Sequence, residues 1–265
     1  MTALSPTWSG LAYSTMPVLA ALVLLAVLRL GQVRPLLVGL VRLTVQLTLL
    51  GMVLDWVFGT SNPAVVGGIA LLMLFASAHT VGSRLKGGGW ALRVESFVAM
   101  GVGTAIVMAI SLRLGLGLDP WYKPRVAIPL LGMILGNSVT GVALAAERFA
   151  SDLRADRDRI ELRWALGATA RQAAMPALRA AVSAGLTPVI NNMMIAGIVA
   201  IPGMTTGQLL AGASVQDAVR FQVLVYLGIT GTVALSTIAL LFVRLKRYFT
   251  PSAQLRIEAL TSADP

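Results

Sequence analysis

The sequence predicts an all-α fold, a polytopic membrane helix bundle with about seven transmembrane helices and one amphipathic cytoplasmic loop. Three observations predict it. Apolar residues make up 57% of the 265-residue chain and charged residues only 12%. A soluble domain carries about 25% charged residues, so this chain lacks the polar material to cover a globular surface. The mean hydropathy is +0.81. Stretches such as Val18–Leu28 are continuously apolar, without the alternation of a barrel strand. In lipid that leaves helices. A soluble enzyme and a disordered chain are both excluded.

A spanning helix needs about 20 mostly apolar residues. Seven stretches qualify: 11–30, 36–58, 63–82, 94–115, 126–146, 182–201 and 221–243. The first has no basic leader, since residues 1–15 contain no Lys or Arg, so it reads as a retained span rather than a signal peptide. The third is rich in Gly and Ala. The sixth contains Pro188 and Asn191–Asn192 and is expected to end at Ile201-Pro202-Gly203-Met204, where Pro and Gly interrupt helices. The following stretch, Thr205–Val219, reads as an outer loop or a re-entrant segment. Residues 1–250 form one transmembrane domain in this reading, and 251–265 a cytoplasmic tail.

Sorting the basic residues by loop sets the orientation. One set of loops holds Arg29, Arg34, Arg84, Lys86, Arg93, seven arginines between 148 and 179, and Arg244, Lys246, Arg247 and Arg256. The other holds only Arg113, Lys123, Arg125 and Arg220, while Arg42 lies inside a span. The richer set belongs in the cytoplasm, with the N-terminus outside and the C-terminus inside. The formal charge of +10 is therefore read as loops facing anionic lipid, not as a nucleic-acid footprint.

The loop 147–181 is the one soluble-looking region. Phe149, Leu153, Ile160, Leu162 and Trp164 recur at roughly helical spacing and predict one greasy face. Asp156 and Arg159 can pair at i,i+3. A turn is expected at Gly167-Ala168-Thr169, with Thr169 as N-cap of a second helix. A greasy face on a cytoplasmic helix needs a partner to cover it.

Catalytic constellations are missing. No G-x-x-x-x-G-K-[ST] run cradles nucleotide phosphates, and no G-x-S-x-G elbow is present. With no Cys and one His, disulfides and multi-His metal centres are excluded. Polar groups inside spans are costly and mark function or helix glue. Arg42 and Gln46 share a face of the second span. Asn137 follows Gly132-Met-Ile-Leu-Gly136, a GxxxG packing pattern, and Asn191, Asn192, Met193 and Met194 sit in the sixth span. Met193, Met194 and Met204 are the weak candidates for a soft metal. His79 reads as structural, and Trp8, Trp56, Trp90 and Trp121 as an aromatic belt.

Glu161-Leu-Arg-Trp-Ala165-Leu166-Gly167-Ala168-Thr169, with Gln172-Ala173 and Leu178-Arg179, resembles the EAA-type cytoplasmic loop of ABC transporter permeases. Gly185-Leu-Thr-Pro188, Ile190-Asn191, Gly197 to Met204, Thr206-Gly207-Gln208, Leu210-Ala-Gly212 and Ala218 to Gln222 are similar to the FetB-type permease family, related to plant aluminium-tolerance permeases. Arg42-x-x-x-Gln46-Leu47 and Met133-Ile-Leu-Gly136-Asn137 match its second and fifth spans, and the resemblance covers about 35–250.

It implies a permease subunit that pairs with a separate ABC ATPase, two of each, with ATP and Mg on that partner and no cofactor on this chain. Glu161, Ala165, Leu166, Gly167, Ala168 and Thr169 would then form the coupling loop. Arg42, Gln46, Asn137, Asn191, Asn192, Met193, Met194 and Gln208 would line the path, with Pro188, Pro202 and Gly203 as hinges. Bacterial members of the family are linked to iron efflux, and plant relatives have been connected with nucleotide sugar transport, so the resemblance leaves the cargo open. Asn192 departs from the small hydroxyl residue usual in the family. Hard iron prefers oxygen and imidazole ligands, which are scarce in these spans, so a metal would be held by amides, carbonyls and Met, or carried as a complex. Two rival classes stand beside this one: a secondary transporter driven by an ion gradient, which wants midplane carboxylates or His, and a non-transporting membrane scaffold.

Overall fold

The computed structural model describes residues 7–59, 62–84 and 89–250. The expected tail 251–265 and the basic residues Lys86 and Arg256 lie outside them. Among the described residues seven helices are long and apolar enough to cross a membrane. The chain is an all-α polytopic bundle, as its composition predicts.

Two compact units divide at Ser61 and Asn62. The N-terminal unit holds α1 (Trp8–Val27) and α2 (Val33–Phe58). Thr7 caps α1, its hydroxyl accepting from the Gly10 amide at 3.1 Å. The link between the two helices carries positive φ at Arg29 and Gly31. Their apolar side chains are almost all exposed, Leu22 and Val57 being the buried ones among the described residues.

The second unit contains α3 (Pro63–Arg84), α4 (Gly89–Ala109), which ends in a π-helical turn Ile110–Gly115, α5 (Pro124–Ala155), α6 (Arg157–Ala165), α7 (Ala170–Ile195), α8 (Gly203–Leu210) and α9 (Val215–Tyr248). The core sits among α4, α5, α7 and α9. It includes Leu92, Met100, Phe149, Leu153, Ala174, Ala181, Leu240 and Tyr248.

α5 and α9 outrun the bilayer by the widest margin. At 1.5 Å per residue α5 is about 48 Å long and α9 about 51 Å, against a hydrocarbon core of about 30 Å. The expected helix-turn-helix of loop 147–181 is continuous with the spans on either side of it. Residues 147–155 continue α5 and residues 170–181 open α7. Phe149, Ala150 and Leu153 extend the buried stripe of α5, and Arg148 pairs with Asp152 at 2.9 Å. With no breaker before Asp156, nothing stops the helix at the membrane surface.

The sixth span also differs from expectation. α7 ends at Ile195 rather than at Ile201. The left-handed Gly197, at φ +80°, turns the chain back, and its amide donates to the Ala200 carbonyl at 2.9 Å. Pro202 and Gly203 therefore start α8. A hinge there would move α8, whereas Pro188 lies inside α7 and removes one backbone donor from it.

A close backbone approach between helices lies outside the Gly132-x-x-x-Gly136 packing pattern. A Cβ on Gly132 would meet Met73 and one on Gly136 would meet nothing within 4 Å. Instead α5 and α7 touch at Gly141 and Gly185. A Cβ on Gly141 would lie 2.6 Å from the Gly185 carbonyl oxygen and 2.7 Å from Val233 Cγ1. Backbone cannot swing aside as a side chain can. Gly141→Val is expected to lower stability by about 3 kcal/mol through overpacking, measured as a fall in melting temperature in detergent. Gly68→Ala, where a Cβ meets nothing within 4 Å, should lower it not at all.

Candidate functional site

The elbow between α5 and α7 is built from local rules. Asp156 ends α5 at φ −99° and ψ 21°, and α6 restarts one residue later. At the far end of α6, Gly167 adopts φ +88°. Its amide donates to the Trp164 carbonyl at 2.8 Å, and the Ala168 amide donates to Arg163 at 3.0 Å. This is a Schellman closure, for which glycine at that position carries no Cβ penalty. Thr169 then opens α7 with a capping box. Its hydroxyl accepts from the Gln172 amide at 3.3 Å, and its own amide donates to Gln172 Oε1 at 2.8 Å. Thr169 is the N-cap the sequence predicts. Arg163 Nη1 ties α6 to α7 by donating to the Ala173 carbonyl at 3.0 Å.

The expected single greasy face is split. Phe149, Leu153 and Ile160 are buried in the core, while Leu162, Trp164 and Leu166 point outward, 61%, 38% and 80% exposed. The one-residue break at Asp156 resets the helical phase, so residues before and after it no longer share a side. The outward trio is flanked by exposed charges. Arg157 Nε donates to Glu161 Oε1 at 2.8 Å, and Arg159 pairs with Asp156 at 3.3 Å, the i,i+3 pair the spacing predicts. The hydrogen bond to Glu161, and that carboxylate's charge, raise the Arg157 pKa above an already high value. Ala165 is exposed beside the trio, and Ala168 packs against the core.

A second feature is an exposed set of amides at membrane depth. The Gly141–Gly185 crossing sets the register of α5 against α7. Asn137 lies one turn along α5 from that crossing, and Asn191 and Asn192 lie under two turns along α7. All three are exposed. Asn137 Nδ2 donates to its own helix, to the Met133 carbonyl at 2.8 Å, and no hydrogen bond joins it to Asn191 or Asn192 among the described residues. Thr230 donates to Met193 Sδ at 3.4 Å, and Met194 is exposed. Gln208 is half-buried on α8, whose Thr205 hydroxyl donates to Gln222 Oε1 of α9 at 3.1 Å. Met204 is half-buried beside it. Arg42 and Gln46 lie on α2 of the N-terminal unit and are exposed there.

Sequence reasoning missed a buried ion network. Glu95 on α4 accepts from Arg244 Nη1 at 3.0 Å and from Arg247 Nη1 at 3.4 Å. Arg244 Nη2 donates to the Tyr248 hydroxyl at 2.7 Å, and Tyr248 stacks on Phe149 with ring centroids 5.9 Å apart. The side chains of Arg244 and Glu95 are 4% and 13% exposed. α4, α5 and α9 are thus clamped at the elbow end. An acid in the fourth apolar stretch and basic residues ending the seventh were visible, but not their pairing. Among the described residues no three of His, Cys, Asp and Glu gather into a metal-binding group.

Seven apolar helices, a capped elbow joining α5 to α7 and an exposed amide set within two of the spans define a multi-pass membrane protein. The chain belongs to the UPF0014 family, described as "Uncharacterised protein family (UPF0014)", which it matches over residues 8–249. It is 37% identical to UPF0014 membrane protein slr1647 of Synechocystis, over 82% of this chain and 83% of that one. It is 27% identical to the probable iron export permease protein FetB of Escherichia coli, over 96% of each chain. Protein ALUMINUM SENSITIVE 3 of Arabidopsis thaliana is 28% identical over 82% of this chain and 78% of its own. No solved structure matches the chain.

Proposed function

We propose that this chain is the membrane subunit of an ABC transporter that exports iron or another metal across the bacterial cytoplasmic membrane. A separate ATPase subunit binds ATP and Mg, and two copies of each subunit assemble. The observation that carries this reading is the elbow. Leu162, Trp164 and Leu166 stand exposed on a rigidly capped helix beyond the membrane, where an uncovered apolar trio costs solubility unless another polypeptide grips it. The cargo rests on the name of the Escherichia coli relative, a probable iron export permease.

The amide set supports a passage. Asn137, Asn191 and Asn192 cannot face hydrocarbon without losing hydrogen bonds worth several kcal/mol. Their surface therefore meets water or a second copy of the chain, and a path between two permease copies satisfies both. A metal crossing there would be held by amide oxygens, carbonyls and the sulfurs of Met193, Met194 or Met204, or move as a complex. ATP-driven closure of the ATPases would push the elbow, and Pro188 would let α7 bend. Glu95 offers little to an ion-coupled rival, because two guanidiniums already occupy its oxygens.

The test is reconstitution. The chain and an ABC ATPase, sought first in the neighbouring reading frames, are placed in vesicles and assayed with ferrous iron, ferric iron, aluminium and nucleotide sugars. ATP-dependent movement of iron is expected. Flux that ignores ATP and follows a pH gradient would establish a secondary transporter instead.

A further inference from the structure

An apolar groove of about 500 Å³ lies among α3, α4 and the first turns of α5. Seventeen residues line it, and only Thr104, Trp121 and Tyr122 bring polar side-chain atoms. It is separate from the amide set, since its lining residues on α5 are Ala127, Ile128 and Leu131, on a different helical face from Asn137. Nothing in the proposed transport reading uses it.

Three observations identify an occupant. The first is length. The lining runs from Pro63 to Leu74 on α3 and from Phe97 to Leu112 on α4, which is about 16 Å and about 22 Å of helix. One leaflet of hydrocarbon is about 15 Å deep. The second is access. Leu71 and Trp121 on the wall are themselves exposed, so the groove opens sideways toward lipid. The third is the rim. Trp121 and Tyr122 meet edge to face at 5.8 Å, an amphipathic pair suited to the headgroup level. Lys123 follows directly and Arg125 opens α5. Both are exposed, and neither has an ion-pair partner among the described residues. Arg113, by contrast, pairs with Asp119 at 3.7 Å.

We propose that this groove holds one acyl chain of a membrane phospholipid, with its phosphate against Lys123 and Arg125. Apolar walls of leaflet length suit the tail, and the cationic rim favours an anionic headgroup. The rim stands at the end of α5 opposite the elbow, so the lipid comes from the leaflet away from it.

Native mass spectrometry of the full chain ejected from nanodiscs of equal phosphatidylglycerol and phosphatidylethanolamine tests this. The wild type should retain one phospholipid per copy, enriched in phosphatidylglycerol. Two variants fill the groove: Ala105→Trp, at an exposed lining position, and Gly67→Phe, where a Cβ meets nothing within 4 Å. Each should lower retention about tenfold, the equivalent of two buried methylenes. Lys123→Ala with Arg125→Ala should keep the tail and lose the headgroup preference. Melting temperatures within the wild-type range certify that the variants fold, and either filling variant suffices. Lipid-free wild type, or retention untouched by a folded filling variant, overturns the proposal. So does efficient disulfide trapping from Leu71→Cys to a second copy, or to cysteines placed in α1 or α2, since protein would then occupy the groove. Transport activity is not the readout, so failure here leaves the transporter reading standing.

Discussion

Glu95→Ala is expected to destabilise the bundle by on the order of 3 kcal/mol, because it leaves a buried guanidinium without its counter-charge. The Arg244 side chain is 4% exposed, and its Nε already has no hydrogen-bond partner among the described residues. Removing Glu95 leaves Arg244 its hydrogen bond to the Tyr248 hydroxyl, at 2.7 Å. Glu95→Gln should cost less, since the amide oxygen still accepts one of the two guanidinium donors. Replacing Glu95 and Arg244 together by methionine should recover most of the loss, because the costly state is the half-removed pair rather than its absence. Thermal unfolding in detergent of the wild type, Glu95→Met, Arg244→Met and the double methionine variant closes a double-mutant cycle. Single-variant losses that simply add up to the loss of the double variant would show that the pair is not coupled. The clamp joins α4 to α9 at the end where α5 carries the elbow, so a loosened clamp should also blunt any force transmitted through α5.

What the sequence reveals and what it hides divide along range. The seven spans need only composition and length, so they stand where hydropathy puts them. The Thr169 cap and the Asp156–Arg159 pair depend on neighbours three residues apart, and both are present. The greasy face failed because periodicity was carried through Asp156, where the backbone leaves the helix for one residue. The end of α7 failed because Gly197, not Pro202, takes the left-handed turn. The Gly132-x-x-x-Gly136 pattern is a matter of spacing. The contact at Gly141 depends on which face of α5 meets α7, and that is a property of the whole bundle. Glu95 and Arg244 are 149 residues apart, and no local rule relates them. Of the candidate site, the elbow was legible in detail. The amides could be named in sequence, but that all three lie uncovered in the single chain had to be seen in the fold.

Trp164→Asp combined with Leu166→Asp is expected to weaken association with the ATPase on the order of a hundredfold, the loss typical when apolar anchors at an interface centre become charged. Iron flux driven by ATP should fall with it. The fold should not suffer. Both side chains are exposed, Trp164 at 38% and Leu166 at 80%, while Ile160, one turn before Trp164 on α6, stays buried. Unchanged melting with lost ATPase binding therefore separates a docking surface from a structural one. Gly167→Val supplies the complementary case. It leaves the apolar trio in place but puts a β-branched residue at φ +88°, a strain of about 1–3 kcal/mol that the Schellman turn must absorb. Binding should weaken there because the trio is misaimed rather than missing, and a less strained Gly167→Asn should restore part of it, since Asn tolerates the left-handed region. If the double aspartate variant transports as well as the wild type, the apolar face of α6 serves some other contact, and the proposed route of force from ATPase to α5 and α7 fails with it.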